Sequence, residues 1–329
     1  MDSIHLPLSI IIPVYTVEKY IRECIQSCAV QDFPSEDYEI IVVNDGTQDN
    51  SMAIVEELSN LYKNIIIYNQ ENQGLSVARN TGLSKAKGEY VWFVDSDDSI
   101  VENSLKGIVE SLKSAPDVLQ IQYQLVYEDG RPNKSVEFTN IEGIKTGEEV
   151  LLAGGLPTPV QFSIYRRGFL ISNNLCFYPG IYHEDVEFKP RAVYSAERIM
   201  SHNAVVYNYL QRATGSITSN YKLKNGLDSI IVCQSLYSFS KNLSSPIRSA
   251  FSERITQVVN SNMNRLKHLN NHDKELLLSE WARNKNLFRY MMLSKSLLSK
   301  IEGGVFFINV RIGAFLFRIF FKDEKPCMG

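Results

Sequence analysis

The sequence predicts an α/β domain with a mostly parallel central sheet flanked by helices, followed by a helical C-terminal extension. Three observations predict it. Short β-branched runs alternate with segments of helical period through the first third of the chain. Polar and acidic clusters stand at the carboxyl ends of three of those runs, where open parallel sheets bind ligands. From about Gly226 onward the apolar spacing is helical to the end.

Each element follows from its residues. Leu8–Pro13 is an apolar, β-branched run ending at a proline, the pattern of a buried strand. Val17, Tyr20, Ile21, Cys24, Ile25 and Cys28 recur at helical spacing. Tyr38–Val43 is a second strand, stopped by Asn44-Asp45-Gly46, and Met52–Tyr62 is helical. Ile65, Ile66 and Ile67 make a third strand, and Leu75–Lys85 a helix stopped at Gly88. Tyr90–Val94 is a fourth strand, followed at once by acids, and Ile100–Leu112 is helical. Strands separated by helices of this length need crossover connections, which favour parallel pairing. Val118–Tyr127 reads as a strand and Glu128–Lys145 as a polar loop with an Asp129-Gly130 turn. Gly154–Pro159 is a break, Ile181-Tyr182-His183-Glu184-Asp185 opens a helix, and Val205–Leu210 is a late strand.

Composition narrows the function classes. With 44% hydrophobic and 22% charged residues, 329 residues can bury a sizeable core, which excludes a disordered chain. A net charge of −3 leaves no basic footprint for whole-surface nucleic-acid binding. Five cysteines (Cys24, Cys28, Cys176, Cys233, Cys327) are scattered without zinc spacing, and Cys24 and Cys28 read as core fillers. Unpaired cysteines suit a reducing, cytoplasmic setting. Met1–Pro7 is too short for a secretory signal, and no apolar run is long enough to predict a transmembrane helix.

The clusters carry the chemistry. Asp95-Ser96-Asp97-Asp98 brings two carboxylates, at i and i+2, to a strand end, and such oxygen donors suit Mg²⁺ or Mn²⁺ beside substrate phosphates. The same string also fits an acidic loop in which Asp98 or Ser99 caps the next helix. Asn44-Asp45-Gly46-Thr47 with Asp49 offers a tight turn and a carboxylate for a base or ribose, or simply a turn and a cap. In Asn72–Asn80, Gly74 and Ser76 allow close backbone approach and Arg79 can reach a phosphate or base. Neither a P-loop nor a dinucleotide glycine fingerprint occurs, which disfavours an NAD-dependent oxidoreductase. Asp185 or Glu184, beside His183 and Glu187, can serve as a general base, or the acids merely favour a helix dipole. Arg212 and Ser216, in Arg212-Ala213-Thr214-Gly215-Ser216, can hold a diphosphate or form an ordinary turn.

Taken in order, these strings resemble the family-2 glycosyltransferases of the GT-A fold. The resembling residues are Ile11-Ile12-Pro13-Val14-Tyr15, Val43-Asn44-Asp45-Gly46-Thr47, Asn72-Gln73-Gly74-Leu75-Ser76-Val77-Ala78-Arg79-Asn80, Phe93-Val94-Asp95-Ser96-Asp97-Asp98 and His183-Glu184-Asp185-Val186-Glu187. The match covers roughly residues 7 to 217. Thr16 stands where the family most often has Asn, Thr47 where Ser is common, and Ser96 where Ala is frequent.

The resemblance implies roles. Asp45 contacts the nucleotide base, Arg79 lies beside the nucleotide, and Pro13 and Tyr15 line the base pocket. Asp95-Ser96-Asp97 matches the D-x-D element: Asp97 binds Mn²⁺ or Mg²⁺, and Asp95 faces the ribose or sugar. Asp185 matches the catalytic base, with Glu184 beside it, and Arg212 and Ser216 resemble a diphosphate contact. Residues 1–115 are then the nucleotide-sugar-binding half, 116–217 the acceptor-binding half, and 218–329 a helical region. The implied reaction is inverting transfer from a nucleotide-diphosphate sugar, by default UDP-hexose or UDP-N-acetylhexosamine, in surface polysaccharide synthesis. The implied acceptor is a glycan or lipid-linked saccharide. A non-catalytic sugar-binding relative is the alternative; a sugar nucleotidyltransferase is disfavoured, because Pro13-Val14-Tyr15-Thr16 is not a Gly-rich basic loop. The apolar, cation-bearing segment Val305–Lys322 packs on its own domain, binds a partner, or lies peripherally at the inner face of the cell membrane.

Overall fold

The computed structural model describes residues 6–136, 141–212 and 221–320. Its strands are β1 (Leu8–Val14), β2 (Tyr38–Asp45), β3 (Ile65–Gln70), β4 (Tyr90–Phe93), β5 (Ser99–Ile100), β6 (Val118–Tyr127), β7 (Lys134–Val136), β8 (Ser163–Arg166) and β9 (Ile199–Gln211). Its helices are α1 (Ile21–Ala29), α2 (Ser51–Leu61), α3 (Leu75–Lys85), α4 (Leu105–Leu112), α5 (Gly147–Leu152), α6 (Arg167–Ser172), α7 (Glu184–Ser195), α8 (Leu223–Ser240), α9 (Ser245–Arg265), α10 (Asn271–Arg283), α11 (Lys285–Met291), α12 (Leu297–Ile308) and α13 (Val310–Phe320). The chain divides into two units. One comprises Met1–Gly147, Pro159–Gly180 and Ala192–Thr214; the other comprises Glu148–Thr158, Ile181–Arg191 and Gly215–Gly329.

The first unit holds one sheet in the order β3-β2-β1-β4-β8-β6-β9-β5, with β7 paired on β6. β3, β2, β1 and β4 run parallel, as their crossover helices require. Beyond β4 the sheet is mixed: β8 is antiparallel to β4 and β6, β9 is parallel to β6, and β5 is antiparallel to β9. Both faces of the parallel half are covered, which is why its strands read as continuous apolar runs. Ile10, Ile12, Ile40, Val42 and Trp92 share a core with Ile21, Cys24, Ile25, Cys28, Val55 and Leu58 from α1 and α2. Cys24 and Cys28 are fully buried there, as core fillers. On the other face α3 approaches β1 so closely that a Cβ on Gly82 would sit 2.3 Å from the Ile11 side chain.

Pro13 is tolerated in a central strand for a local reason. The β4 register ends at Ile11↔Phe93, so Pro13 pairs only with Val43 of β2.

Several boundaries differ from the sequence reading. The helix expected over Ile100–Leu112 begins at Leu105, because Ser99 and Ile100 pair with Asn208 and Tyr207 as β5. The stripe from Val17 becomes helical only at Ile21, after a turn in which Tyr20 N donates to Val17 O (2.9 Å). The expected loop Glu128–Lys145 contains β7, hairpinned onto Tyr123–Leu125. β8 and α6 were not expected at all: four residues of strand carry too few alternations to show a period.

The second unit is helical and carries its own core. Trp281, Phe288, Phe306 and Phe317 meet in sequence, with centroids 5.8, 5.4 and 6.4 Å apart and only the middle pair stacked, and Trp281 Nε1 donates to buried Asn262 Oδ1 (3.1 Å). Asn270 and Ser296 cap α10 and α12 through their side-chain oxygens.

Candidate active site

The acids converge on the first unit's sheet because β2 and β4 are parallel and end on the same side. Asp45 closes β2 and is 3% exposed. Its Oδ1 accepts from Gln70 Nε2 (2.7 Å) and Gln73 N (2.9 Å), and its Oδ2 accepts from Gly74 N (2.8 Å). This carboxylate therefore ties the end of β2 to the entry of α3, whose own cap residue, Gly74, has no side chain to offer. A carboxylate accepts at roughly four positions, so about one is left for a ligand. Gly46, at φ +71°, makes the turn possible: a Cβ there would lie 2.8 Å from Asn72 N.

Arg79 projects from α3 and is 2% exposed. Its Nη2 donates to Asp95 Oδ1 at 2.6 Å, and its guanidinium lies 5.3 Å from the Phe177 ring. Asn80 holds that phenylalanine in place, donating to Phe177 O (2.8 Å) and accepting from Phe177 N (2.9 Å).

Asp97 pairs with Arg212, whose guanidinium lies 4.4 Å from the Tyr20 ring. Burial and the neighbouring Asp95 carboxylate push the Asp97 carboxyl above its usual range, against the pull of Arg212. Asp98 does not cap a helix; α4 starts after Ser104. It is 2% exposed and accepts from Tyr207 Oη (2.7 Å) and Leu210 N (2.8 Å), fastening β9 to the acidic string. Burial, then Asp97 and Asp95, drive its carboxyl well upward. Ser99 also is no cap; its Oγ accepts from Asn208 Nδ2 (3.2 Å).

The donor set fits a divalent cation of the magnesium or manganese kind. Asp95 and Asp97 keep 24% and 26% of their side chains exposed, and both offer only oxygen. Among the described residues no cluster of three or more His, Cys, Asp or Glu side chains could hold a metal unaided. A cation here would draw on one or two carboxylates plus substrate phosphates, the usual Mg²⁺ arrangement.

The remaining expected donor contacts are placed as follows. Pro13 is buried in β1, Ser96 is buried, and Tyr15 is 52% exposed at the strand end. Thr16 sits at φ +55°, its N–H donating to Thr47 Oγ1 (2.8 Å), which donates to Asp49 Oδ1 (2.8 Å). Ser216 lies outside the described residues.

Asp185 and Glu184 belong to the second unit, in the first turn of α7. The entry is set by His183 at φ +64°, and Tyr182 N donates to Asp228 Oδ2 (2.9 Å). Glu184 is buried, whereas Asp185 is half-buried, with Oδ1 accepting from Val186 N (2.7 Å). Glu187 is a strut: it accepts from Ser235 Oγ and Arg191 Nη2, both at 2.6 Å. Lys189, one turn beyond Asp185, is fully buried, and burial pushes its ammonium down to about 7 against the pull of Asp185.

Sequence reasoning did not single out Tyr20, Phe177 or Tyr207 and misread Asp98. Tyr20 and Tyr207 were absorbed into apolar periodicity; Phe177 sits in a segment without period. A polar tip within an apolar stripe was the available signal for both tyrosines.

The family model described as Glycosyl transferase family 2 matches residues 9–172. The chain is 31% identical over 210 residues to the uncharacterized glycosyltransferase YibD of Escherichia coli (strain K12), covering 61% of this chain and 60% of that protein. It is 32% identical over 220 residues to the poly(ribitol-phosphate) beta-N-acetylglucosaminyltransferase TarS of Staphylococcus aureus (strain Mu50 / ATCC 700699), covering 65% of this chain and 37% of TarS. The match thus spans less than two thirds of either relative. The crystal structure of S. aureus TarS 1–349 in complex with UDP-GlcNAc superposes with a TM-score of 0.75 at 23% identity, covering 94% of this chain and 89% of that one. That likeness shows the fold.

Proposed function

We propose that this chain, which belongs to glycosyl transferase family 2 through its residues 9–172, transfers a sugar from a nucleoside-diphosphate sugar to an acceptor hydroxyl. The observation that carries the reading is the double pairing at the carboxyl end of β4, Arg79 with Asp95 and Arg212 with Asp97. It offers a carboxylate for a divalent cation, Asp97, a second for the ribose or sugar, Asp95, and a cation beside each for the nucleotide and its diphosphate. Asp97 would hold the cation. When bound, it supplies Lewis-acid stabilisation of the leaving diphosphate.

The chain's own residues do the rest. Asp45 holds the loop before α3 and keeps an acceptor position for the base, beside Pro13 and Tyr15. Asp95 and Ser96 face the ribose or sugar. Arg212 balances charge on the diphosphate, with Ser216 as a further contact to it. Asp185 accepts the acceptor's hydroxyl proton while the new C–O bond forms, and the electron pair of the broken bond leaves on the nucleoside diphosphate. A single displacement of this kind inverts the anomeric carbon. In this reading residues 1–115 hold the donor, 116–217 the acceptor, and 218–329 the helical region.

UDP-N-acetylhexosamine and UDP-hexose are the first donors to test, and the TarS complex with UDP-GlcNAc supports that order. A surface glycan or lipid-linked saccharide is the proposed acceptor. No helix among the described residues is long and apolar enough to cross a membrane. α13 nevertheless exposes Ile312, Phe315 and Ile319 beside Arg311, and we assign that face to a peripheral membrane contact.

The deciding experiment is donor hydrolysis across a panel of nucleotide sugars with Mn²⁺, Mg²⁺ or EDTA. The expected result is metal-dependent release of one nucleoside diphosphate, lost in Asp97→Asn. Absence of both hydrolysis and calorimetric binding of UDP or GDP with Mn²⁺ would instead identify a non-catalytic relative.

A further inference from the structure

We propose that the helical unit carries a second binding site, for a phosphate group borne on a sugar or polyol. The site is a cleft of about 440 Å³ among α8, α9, α11 and α12. That volume suits a single phosphorylated sugar or polyol unit. Lys241, Arg248 and Arg289 line it, together with Tyr237, Tyr290 and Phe307.

Elsewhere in the unit Arg191, Lys224, Arg283 and Arg311 each take a carboxylate partner. Among the described residues Lys241, Arg248 and Arg289 take none. Two of them lie over aromatic rings instead: Lys241 6.0 Å from the Tyr237 centroid and Arg289 5.3 Å from the Phe307 centroid. A ring face positions a cation while leaving its charge intact. Arg248 goes further. Its Nε is buried and has no hydrogen-bond acceptor among the described residues. It also stands in the first turn of α9, where the helix dipole disfavours a cation, so helix stability does not explain it.

Like charges gathered in one cleft repel each other, and an anion between them relieves the repulsion. A phosphate meets that need through the guanidinium and ammonium groups that line the cleft. The walls are set in advance: Tyr290 Oη shares a 2.7 Å hydrogen bond with buried Ser240, and the Tyr237 and Tyr290 rings meet edge to face at 5.1 Å. The aromatic walls and the Asn286 amide suit the hydroxylated carrier of the phosphate. None of these residues belongs to the proposed transfer machinery, so this site stands or falls separately from it.

Calorimetric titration of the full chain tests the proposal, using inorganic phosphate, glycerol 3-phosphate, short poly(glycerol phosphate), neutral glycerol, and vesicles with and without phosphatidylglycerol. We expect the soluble phosphates to bind, with affinity falling as salt rises, and glycerol not to bind. Arg248→Gln and Arg289→Gln should each weaken binding about tenfold or more. Arg289→Lys should retain most of it, and donor hydrolysis and melting should not change. Binding only to phosphatidylglycerol vesicles, lost in Arg248→Gln, would support the site and identify a lipid headgroup as the phosphate source. Binding of no phosphate-bearing probe, or undiminished binding in a folded Arg248→Gln/Arg289→Gln variant, would overturn it.

Discussion

At the scale of single residues, neighbouring acids have different jobs. Glu184 and Glu187 are buried, and Glu187 is spent on Ser235 and Arg191, whereas Asp185 keeps solvent access. Asp185→Asn should therefore retain donor binding and lose transfer; transfer at the wild-type rate would remove Asp185 as the base. Thr16 occupies the left-handed region with a β-branched side chain, a conformation that Asn tolerates better. Thr16→Asn should stabilise the chain by about 1 kcal/mol, read as a higher urea midpoint at unchanged slope. Lys189 is pushed down to about 7 by burial. Between pH 7 and the ordinary lysine range the unfolded chain binds a proton that the folded chain has lost, so stability rises with pH across that window. Lys189→Met should flatten the rise; an unchanged slope between pH 7.5 and 9.5 (about the middle of the window) would show that another group causes it. The carboxylates themselves were legible as strings at strand ends. Their partners were not. Asp45 binds residues 25 to 29 positions away, and no local pattern announces that.

At the scale of elements, legibility followed length and flanking turn residues as much as period. Leu75–Lys85 and Val118–Tyr127 were expected with the boundaries that α3 and β6 show: β6 alternates apolar residues with glutamines, whereas α3 has little apolar period and was bounded by Gly74 before it and Gly88 after it. In β5, Ile100 was read as helix and Ser99 as a cap because the two residues pair with a strand more than 100 positions later. α13 shows the limit of periodicity differently. Val310, Ala314 and Phe317 face the unit's own core, yet Ile312, Phe315 and Ile319 stay exposed, continuing from Ile308 at 78%. A helix apolar on two faces reads the same from sequence whether one or both are covered. Ile312→Glu/Phe315→Glu leaves the inner face intact, so the variant should fold normally and lose flotation with anionic liposomes. Equal flotation of variant and parent would exclude this face as the membrane contact.

At the scale of the whole molecule, composition and order sufficed for the fold class: alternating strands and helices gave the parallel half, and the helical spacing gave the C-terminal helices, but not the inclusion of Glu148–Thr158 and Ile181–Arg191 in the second unit. In the mixed half β6 and part of β9 were legible as strands, but its pairing was not, because β8 and β5 are too short to show a period and β6 and β9 pair across some 80 residues of sequence. The Asp98 clasp carries a consequence for the order in which the protein can be made. Its acceptors are filled by Tyr207 and Leu210, 109 and 112 residues downstream, and Arg212 follows immediately. At about 5–20 residues per second, roughly 5–20 s of synthesis separate the acidic string from the groups that tether it. Throughout that interval a growing chain already holds β1 to β4 and every carboxylate of the donor half, but leaves the acids without their clasp and β6 without its longest neighbour. If these acids bind the donor as proposed, an incomplete chain lacks the clasp that fixes them, and the unpaired flank of β6 is the surface a chaperone would have to shield.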